Sequence, residues 1–252
     1  MNARRMIIVL VVAAVAGIGA MKWTQDRIRS DAAAEPATDA QEALVAQEAD
    51  GPVARITEQE LADGFVPLIE RERGGFSKHG WNHYGPGWFT LDHESGVLTT
   101  HGGMGLLWYG EMFGDFALRL EFMTSVPESN SGIFVRVPEV PVSDDYIYHS
   151  FEVQIDAAGA PDGQGIYRTG AVYDAVAPSE HRERPPGQWN DMEISFIGSR
   201  IGVSLNGAQV IDWQAEPRGK VEDFADRGYI GLQNHDWDTS VYFRNIRVKR
   251  LD

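Results

Sequence analysis

The 252-residue sequence has no cysteine, which excludes disulfides, a thiol nucleophile, Cys-based zinc sites and an acylated lipoprotein cysteine. It is also poor in basic residues: 22 Lys and Arg face 37 Asp and Glu, giving a formal charge of -15 and a pI near 4.8. Nucleic-acid binders concentrate Lys and Arg on one face, so nucleic acid is excluded as a partner. Sustained helical periods are missing after the first residues, as are internal repeats, a phosphate-cradling Gly loop, a Ser-His-Asp order and a nucleotide fingerprint. What remains is a chain long enough for one large all-β domain with a sizeable core.

Only one long apolar run occurs, Met6 to Met21, preceded by Arg4 and Arg5 and followed by Lys22 and Trp23. That layout makes residues 1–23 a secretory signal or an uncleaved signal anchor, with Ala14-Val15-Ala16 or Ala20 as cleavage positions. The rest of the chain is expected to be exported, periplasmic or in the cell envelope, either free or held in the inner membrane by residues 6–23. Residues 24–55 are rich in Ala, Glu, Asp, Gln and Pro, cannot bury enough apolar surface to fold alone, and read as a disordered tether. The sequence Thr57-Glu58-Gln59-Glu60 offers a helix capping box, so the folded domain is placed at 56–252.

Within that domain short alternating runs are separated by Gly- and Pro-rich turns. Phe116, Leu118, Leu120 and Phe122 share one face of a strand, Ile133 and Val135 alternate with Phe134 and Arg136, and Met192, Ile194 and Phe196 oppose Asp191, Glu193 and Ser195. Thr169 to Tyr173 reads as a further strand. Asn206-Gly207 marks a hairpin, because both turn positions need positive φ. About a dozen such strands predict a sandwich or barrel. The run Tyr148 to Asp156 is the most informative, since Phe151, Val153 and Ile155 point one way while Ser150, Glu152, Gln154 and Asp156 point the other. One side can seal a core and the other can line a cleft, or simply be wetted.

Eight stretches, G-D-F-A-L-R-L-E-F, N-S-G-I-F-V-R, F-E-V-Q-I-D, T-G-A-V-Y, P-P-G-Q-W-N, L-N-G, G-Y-I-G-L-Q-N-H and F-R-N-I-R-V, occur in this order between Gly64 and the C-terminus. Together they resemble the 3-keto-disaccharide hydrolase domain family. The resemblance implies a concanavalin A-like jelly-roll β-sandwich of two antiparallel sheets, and an exported bacterial protein acting on oxidised sugars. It also implies that Glu152 and Gln154 lie on the concave face, with Arg136 and Tyr173 on neighbouring strands of that face. The segment G-W-N-H-Y-G-P-G-W-F-T-L-D-H-E-S-G-V-L departs from the family pattern by being longer, so its residues are left unassigned.

A 3-keto sugar has an acidified C2 proton, so one base and one enolate stabiliser suffice for β-elimination at C1, and water addition completes a net hydrolysis. Glu152 is the candidate base, Arg136 the electrostatic stabiliser, and His235 a reserve acid or base. Gln154, Tyr173, Trp108 and Gln233 are candidate substrate-binding residues. An Arg136–Glu152 cross-strand ion pair without chemistry is the plain alternative. A conventional glycosidase needs two carboxylates about 5 to 9.5 Å apart. Glu152 and Asp156 are separated by about 13 Å of strand, which disfavours that pair. A lectin-like module binding an oligosaccharide or oxidised glycoside is the other alternative, with Trp81, Trp88, Trp108 and Trp237 as possible stacking rings. No cofactor is expected. His79 and His83 have a metal-pair spacing only if helical, and they sit in a Gly-rich loop, so a divalent metal is the weaker alternative.

Overall fold

The computed structural model describes residues 56–252, so the leader over 1–23 and the tether over 24–55 lie outside the described residues. Among the described residues no helix is long and apolar enough to cross a membrane. The domain opens on a short helix, α1 (Glu58–Ala62), with the expected capping box: Thr57 Oγ1 accepts from the Glu60 N–H (3.1 Å) and Glu60 Oε2 accepts from the Thr57 N–H (3.0 Å). Glu60 then accepts from Arg119 and Arg247, which pins the helix to the strands below.

The strands follow in order: β1 (Val66–Pro67), β2 (Glu70–Glu72), β3 (Gly75–Ser77), β4 (Trp81–Tyr84), β5 (Trp88–Leu91), β6 (Leu98–His101) and β7 (Gly105–Tyr109). Two long strands come next, β8 (Phe116–Thr124) and β9 (Asn130–Val137). After them lie β10 (Phe151–Asp156), β11 (Asn190–Ile197), β12 (Arg200–Leu205), β13 (Ala208–Gln214), β14 (Tyr229–Asn234) and β15 (Val241–Arg250). One antiparallel sheet runs β13-β12-β11-β8-β15-β6-β5, with β1 added to β15. The second runs β10-β9-β14-β7-β4. The pattern is the all-β sandwich expected from the alternation. Asn206 and Gly207 make the β12–β13 turn with φ of 49° and 82°, as the hairpin signal requires.

Between the sheets lie Leu118, Leu120 and Phe122 of β8, Ile194 and Phe196 of β11, and Phe243 and Val248 of β15. They meet Ile133 and Val135 of β9 and Phe151, Val153 and Ile155 of β10. Each of these side chains is essentially shielded from water, and burying one contributes about 1.5 to 3 kcal/mol. Because the strand period is two, the residues between them on β9 and β10 must face away from the core. The stretch 169–173 is not a regular strand. It is a loop hydrogen-bonded along the free edge of β10, with the Tyr173 N–H donating to the Glu152 carbonyl (2.9 Å) and the Gly170 N–H to the Gln154 carbonyl (2.9 Å).

Candidate active site

The face of the five-stranded sheet turned away from the core carries polar groups in register. Glu152 pairs with Phe134, and Gln154 with Gly132, while Phe134 also pairs with Gly231 of β14 and Leu232 with Ile133. Continuing that register sets Gln233 beside Gly132. Glycine at 132 makes room for the Glu152 carboxylate: a Cβ there would come 2.5 Å from Glu152 Oε1, so the carboxylate leans across the space that a side chain would fill. Glu152 is only 3% exposed.

Glu152 Oε2 accepts from Lys220 Nζ at 2.8 Å, a pair whose side chains are 3% and 18% exposed. With its amide nitrogen turned inward, Gln154 donates to Glu152 Oε1 (3.3 Å) and to the Ser131 carbonyl (2.9 Å), the orientation that these acceptors require. Lys220 lies 4.2 Å from the Tyr173 ring centroid and 5.5 Å from that of Phe134. An ammonium over aromatic faces is stabilised by their quadrupoles. Burial, reinforced by the Glu152 charge, pushes the Tyr173 phenol up to about 12, so it stays protonated and able to donate. Gln233 is 6% exposed, and among the described residues its buried Oε1 has no partner.

Lys220 stands where the sequence placed Arg136. At Arg136 the chain adopts φ of 61° and the β9–β14 register shifts between Tyr229 and Gly231. This bulge lets Val137 join the outer face and turns Arg136 inward. Its guanidinium lies 4.2 Å over the Phe196 ring and donates to the Ala225 (3.0 Å) and Gly198 (3.3 Å) carbonyls and to Asp115 Oδ1 (3.4 Å). Arg136 is therefore a buried tie between the sheets and not the partner of Glu152.

Trp108 is on the expected face but is 8% exposed, packed on Tyr229 (4.8 Å between centroids) with Leu106, Phe134 and Tyr146. It supports the floor and offers no open ring. Trp81 points to the core side, its Nε1 donating to the Leu68 carbonyl (2.7 Å). Among the described tryptophans only Trp88 and Trp237 are open, at 53% and 69% exposed. Asp156 is held by the chain that follows it: its oxygens accept from the Ala158, Gly159 and Ala160 N–H groups and from Asn130 Nδ2. That occupies the second carboxylate of the strand in shaping a loop.

His235 lies just past the end of β14, two residues beyond Gln233, level with Asp156 and two strands from Glu152. Its Nδ1 is 2.8 Å from Asp236 Oδ1, and Asp236 Oδ2 is fixed by the Asn130 N–H (2.7 Å) and by Thr239. A carboxylate at Nδ1 fixes the tautomer and leaves Nε2 for proton transfer. The bonds that Asp236 accepts from His235, Thr239 and Asn130 outweigh its burial and keep its carboxyl below the ordinary range. Glu183 is a further carboxyl that periodicity did not single out; burial foremost, opposed by a Thr169 hydrogen bond, pushes it up to about 7. Among the described residues no group of three His, Asp or Glu could hold a metal ion. A cavity of about 540 Å³ lies beside the site, between the 138–149 loop and residues 223–225, with Tyr146 in its wall and in the cluster over Phe134.

The arrangement offers one buried carboxylate, one ammonium, one phenol and two amides on a single sheet face, with a carboxylate-held imidazole past the end of β14. The profile described as a 3-keto-alpha-glucoside-1,2-lyase-like domain matches residues 64–249. A curated relative from Bacteroides thetaiotaomicron, named 3-keto-disaccharide hydrolase, is 26% identical over 76% of this chain and 80% of its own length. A crystal structure from Parabacteroides distasonis, ascribed to the glycosyl hydrolases, superposes with a TM-score of 0.65 at 23% identity, covering 78% of this chain and 98% of that one. A Bacillus subtilis protein with a galectin-like fold matches with a TM-score of 0.52 at 12% identity, over 74% and 94% of the two chains. These two structural likenesses show the jelly-roll fold.

Proposed function

The chain belongs to the 3-keto-alpha-glucoside-1,2-lyase-like domain family, and on that premise we propose that it cleaves the glycosidic bond of 3-keto-glycosides by C2 proton abstraction, β-elimination and addition of water. The observation that carries this reading is the buried contact of Glu152 with Lys220 at 2.8 Å. A conventional glycosidase needs a second working carboxylate, and the one on this strand, Asp156, is committed to its loop. Elimination next to a ketone needs one base and one cation.

Glu152 takes the C2 proton, and the electron pair moves onto the C3 oxygen as an enolate. As Glu152 becomes neutral its hold on Lys220 weakens, and the ammonium is within reach of the new anion. The negative charge thus moves from carboxylate to enolate beside one fixed cation, which stabilises the transition state without reorganising solvent. Tyr173, kept protonated, donates to the same oxygen. Collapse of the enolate restores the C3 ketone, forms the C1=C2 bond and expels the glycosidic oxygen, which takes the proton held by Glu152. Water then adds across C1=C2: Glu152, again ionised, takes one of its protons, the hydroxyl goes to C1, and Glu152 delivers that solvent-derived proton to C2. Gln154 holds Glu152 in place, and the unpartnered oxygen of Gln233 accepts a sugar hydroxyl.

Purified protein is assayed for release of monosaccharide from a 3-keto-disaccharide. Glu152→Gln and Lys220→Met are each expected to lower kcat by a factor of about 10² to 10⁴, the usual worth of a positioned base or of a charge stabiliser. Wild-type turnover equal to that of Glu152→Gln overturns the assignment.

A further inference from the structure

Trp88 and Trp237 are left over by this mechanism. Both are broadly exposed, yet neither ring is loose. Trp88, at the start of β5, is stacked on His101 of β6 with centroids 5.6 Å apart and planes 20° from parallel. Beneath the indoles run Gly102 and Gly103, with φ of 70° and 98°. A methyl group on Gly102 would come 2.2 Å from the Trp88 ring, and one on Gly103 would come 2.7 Å from the Trp237 ring. The two indoles thus pack against adjacent residues of one dipeptide. Positive φ and the absence of Cβ are both needed for this approach.

Trp237 lies just past the end of β14, and Trp88, on the edge strand of the other sheet, is tied to that end by Asn234 Nδ2, which donates to the Trp88 carbonyl (3.3 Å). Trp237 follows His235 and Asp236 directly, and the Gly103 N–H donates to the Asp236 carbonyl (2.8 Å). Exposed Asp238 stands next to Trp237. Flat, fixed aromatic rings beside carboxylates suit the apolar C–H face and the hydroxyls of a pyranose. The surrounding acidity, within a chain of charge -15, opposes anionic lipid headgroups and nucleic acid.

We propose that Trp88 and Trp237 form a second subsite, binding neutral pyranose rings of a glycan that extends beyond the sugar held over Glu152 and Gln154. The inference rests on the sugar-site reading of that face, and it makes the physiological substrate longer than a disaccharide. Binding to the platform needs no ketone. It is therefore tested with unoxidised cellotetraose, maltotetraose and laminaritetraose, titrated calorimetrically into the full chain and into Trp88→Ala and Trp237→Ala. At least one tetrasaccharide binds wild type, and each substitution weakens it tenfold or more, while Trp237→Ala turns over a 3-keto-disaccharide within twofold of wild type. Absence of binding to all three sugars, or equal binding by the variants, overturns the subsite. Adsorption of wild type to phosphatidylcholine vesicles without sugar binding overturns it in favour of a membrane contact. Loss of turnover in Glu152→Gln alongside either result shows that the subsite alone has failed.

Discussion

Lys220 and Arg136 show how a single backbone irregularity reassigns a charge. Alternation along β9 puts Arg136 on the outer face, but the bulge at φ 61° turns it between the sheets, where it donates to two carbonyls and covers Phe196. Its place beside Glu152 is taken by a lysine from the loop between β13 and β14, which has no period from which to read a direction. Arg136→Met should therefore act on stability, leaving carbonyls unpaired at a cost of about 2 kcal/mol or more. Chemical denaturation should show that loss while kcat of the folded protein stays near wild type; a large fall in kcat with unchanged stability would return Arg136 to the site. That Glu152 and Gln154 face away from the core was legible, because β10 is regular and its hydrophobic alternation fixes which side is buried in the core. Trp108 is buried against Tyr229 of β14, a cross-strand packing that its own alternation does not describe.

At the level of elements, β9 and β10 cooperate through a missing side chain. Gly132 leaves the space into which the Glu152 carboxylate leans. In Gly132→Ala the new methyl group should displace that carboxylate from Lys220, lowering kcat for a 3-keto-disaccharide at least tenfold while the far-ultraviolet circular dichroism is retained. Unchanged kcat would mean that the position of Glu152 does not matter. Helix α1 supplies a second element-scale test. Burial opposes ionisation of Glu60, but hydrogen bonds from Thr57 and from Arg247 and Arg119 prevail and hold its carboxyl at about 2. A carboxyl lowered on folding contributes stability above its unfolded pKa of about 4.5 and loses it as pH falls toward 2. The shift corresponds to about 3 kcal/mol. Glu60→Gln should thus be less stable at pH 7 and show a flatter stability profile between pH 5 and 2, measured by urea denaturation; parallel profiles would contradict the linkage. The capping box itself was readable from Thr57 and Glu60, whereas the arginines that hold Glu60 come from strands 59 and 187 residues away in sequence.

For the whole molecule, two antiparallel sheets close one core and leave one polar face on which a carboxylate and an ammonium converge. The sandwich was legible because nearly every strand carries its own period-two pattern and its own turn signals. The convergence was legible only in part, since it depends on two loops, 169–173 and the one bearing Lys220, that cross strand edges. The central claim is that cleavage proceeds through loss of the C2 proton, and the chemistry leaves a mark on the product. A 3-keto-disaccharide is turned over in D₂O by wild type and by Glu152→Gln, with the released 3-keto sugar analysed by proton NMR and mass spectrometry within the first turnovers. Elimination and hydration predict one deuterium at C2 in the wild-type product, formed far faster than in Glu152→Gln. Rapid release of a product that keeps its C2 proton would contradict the account.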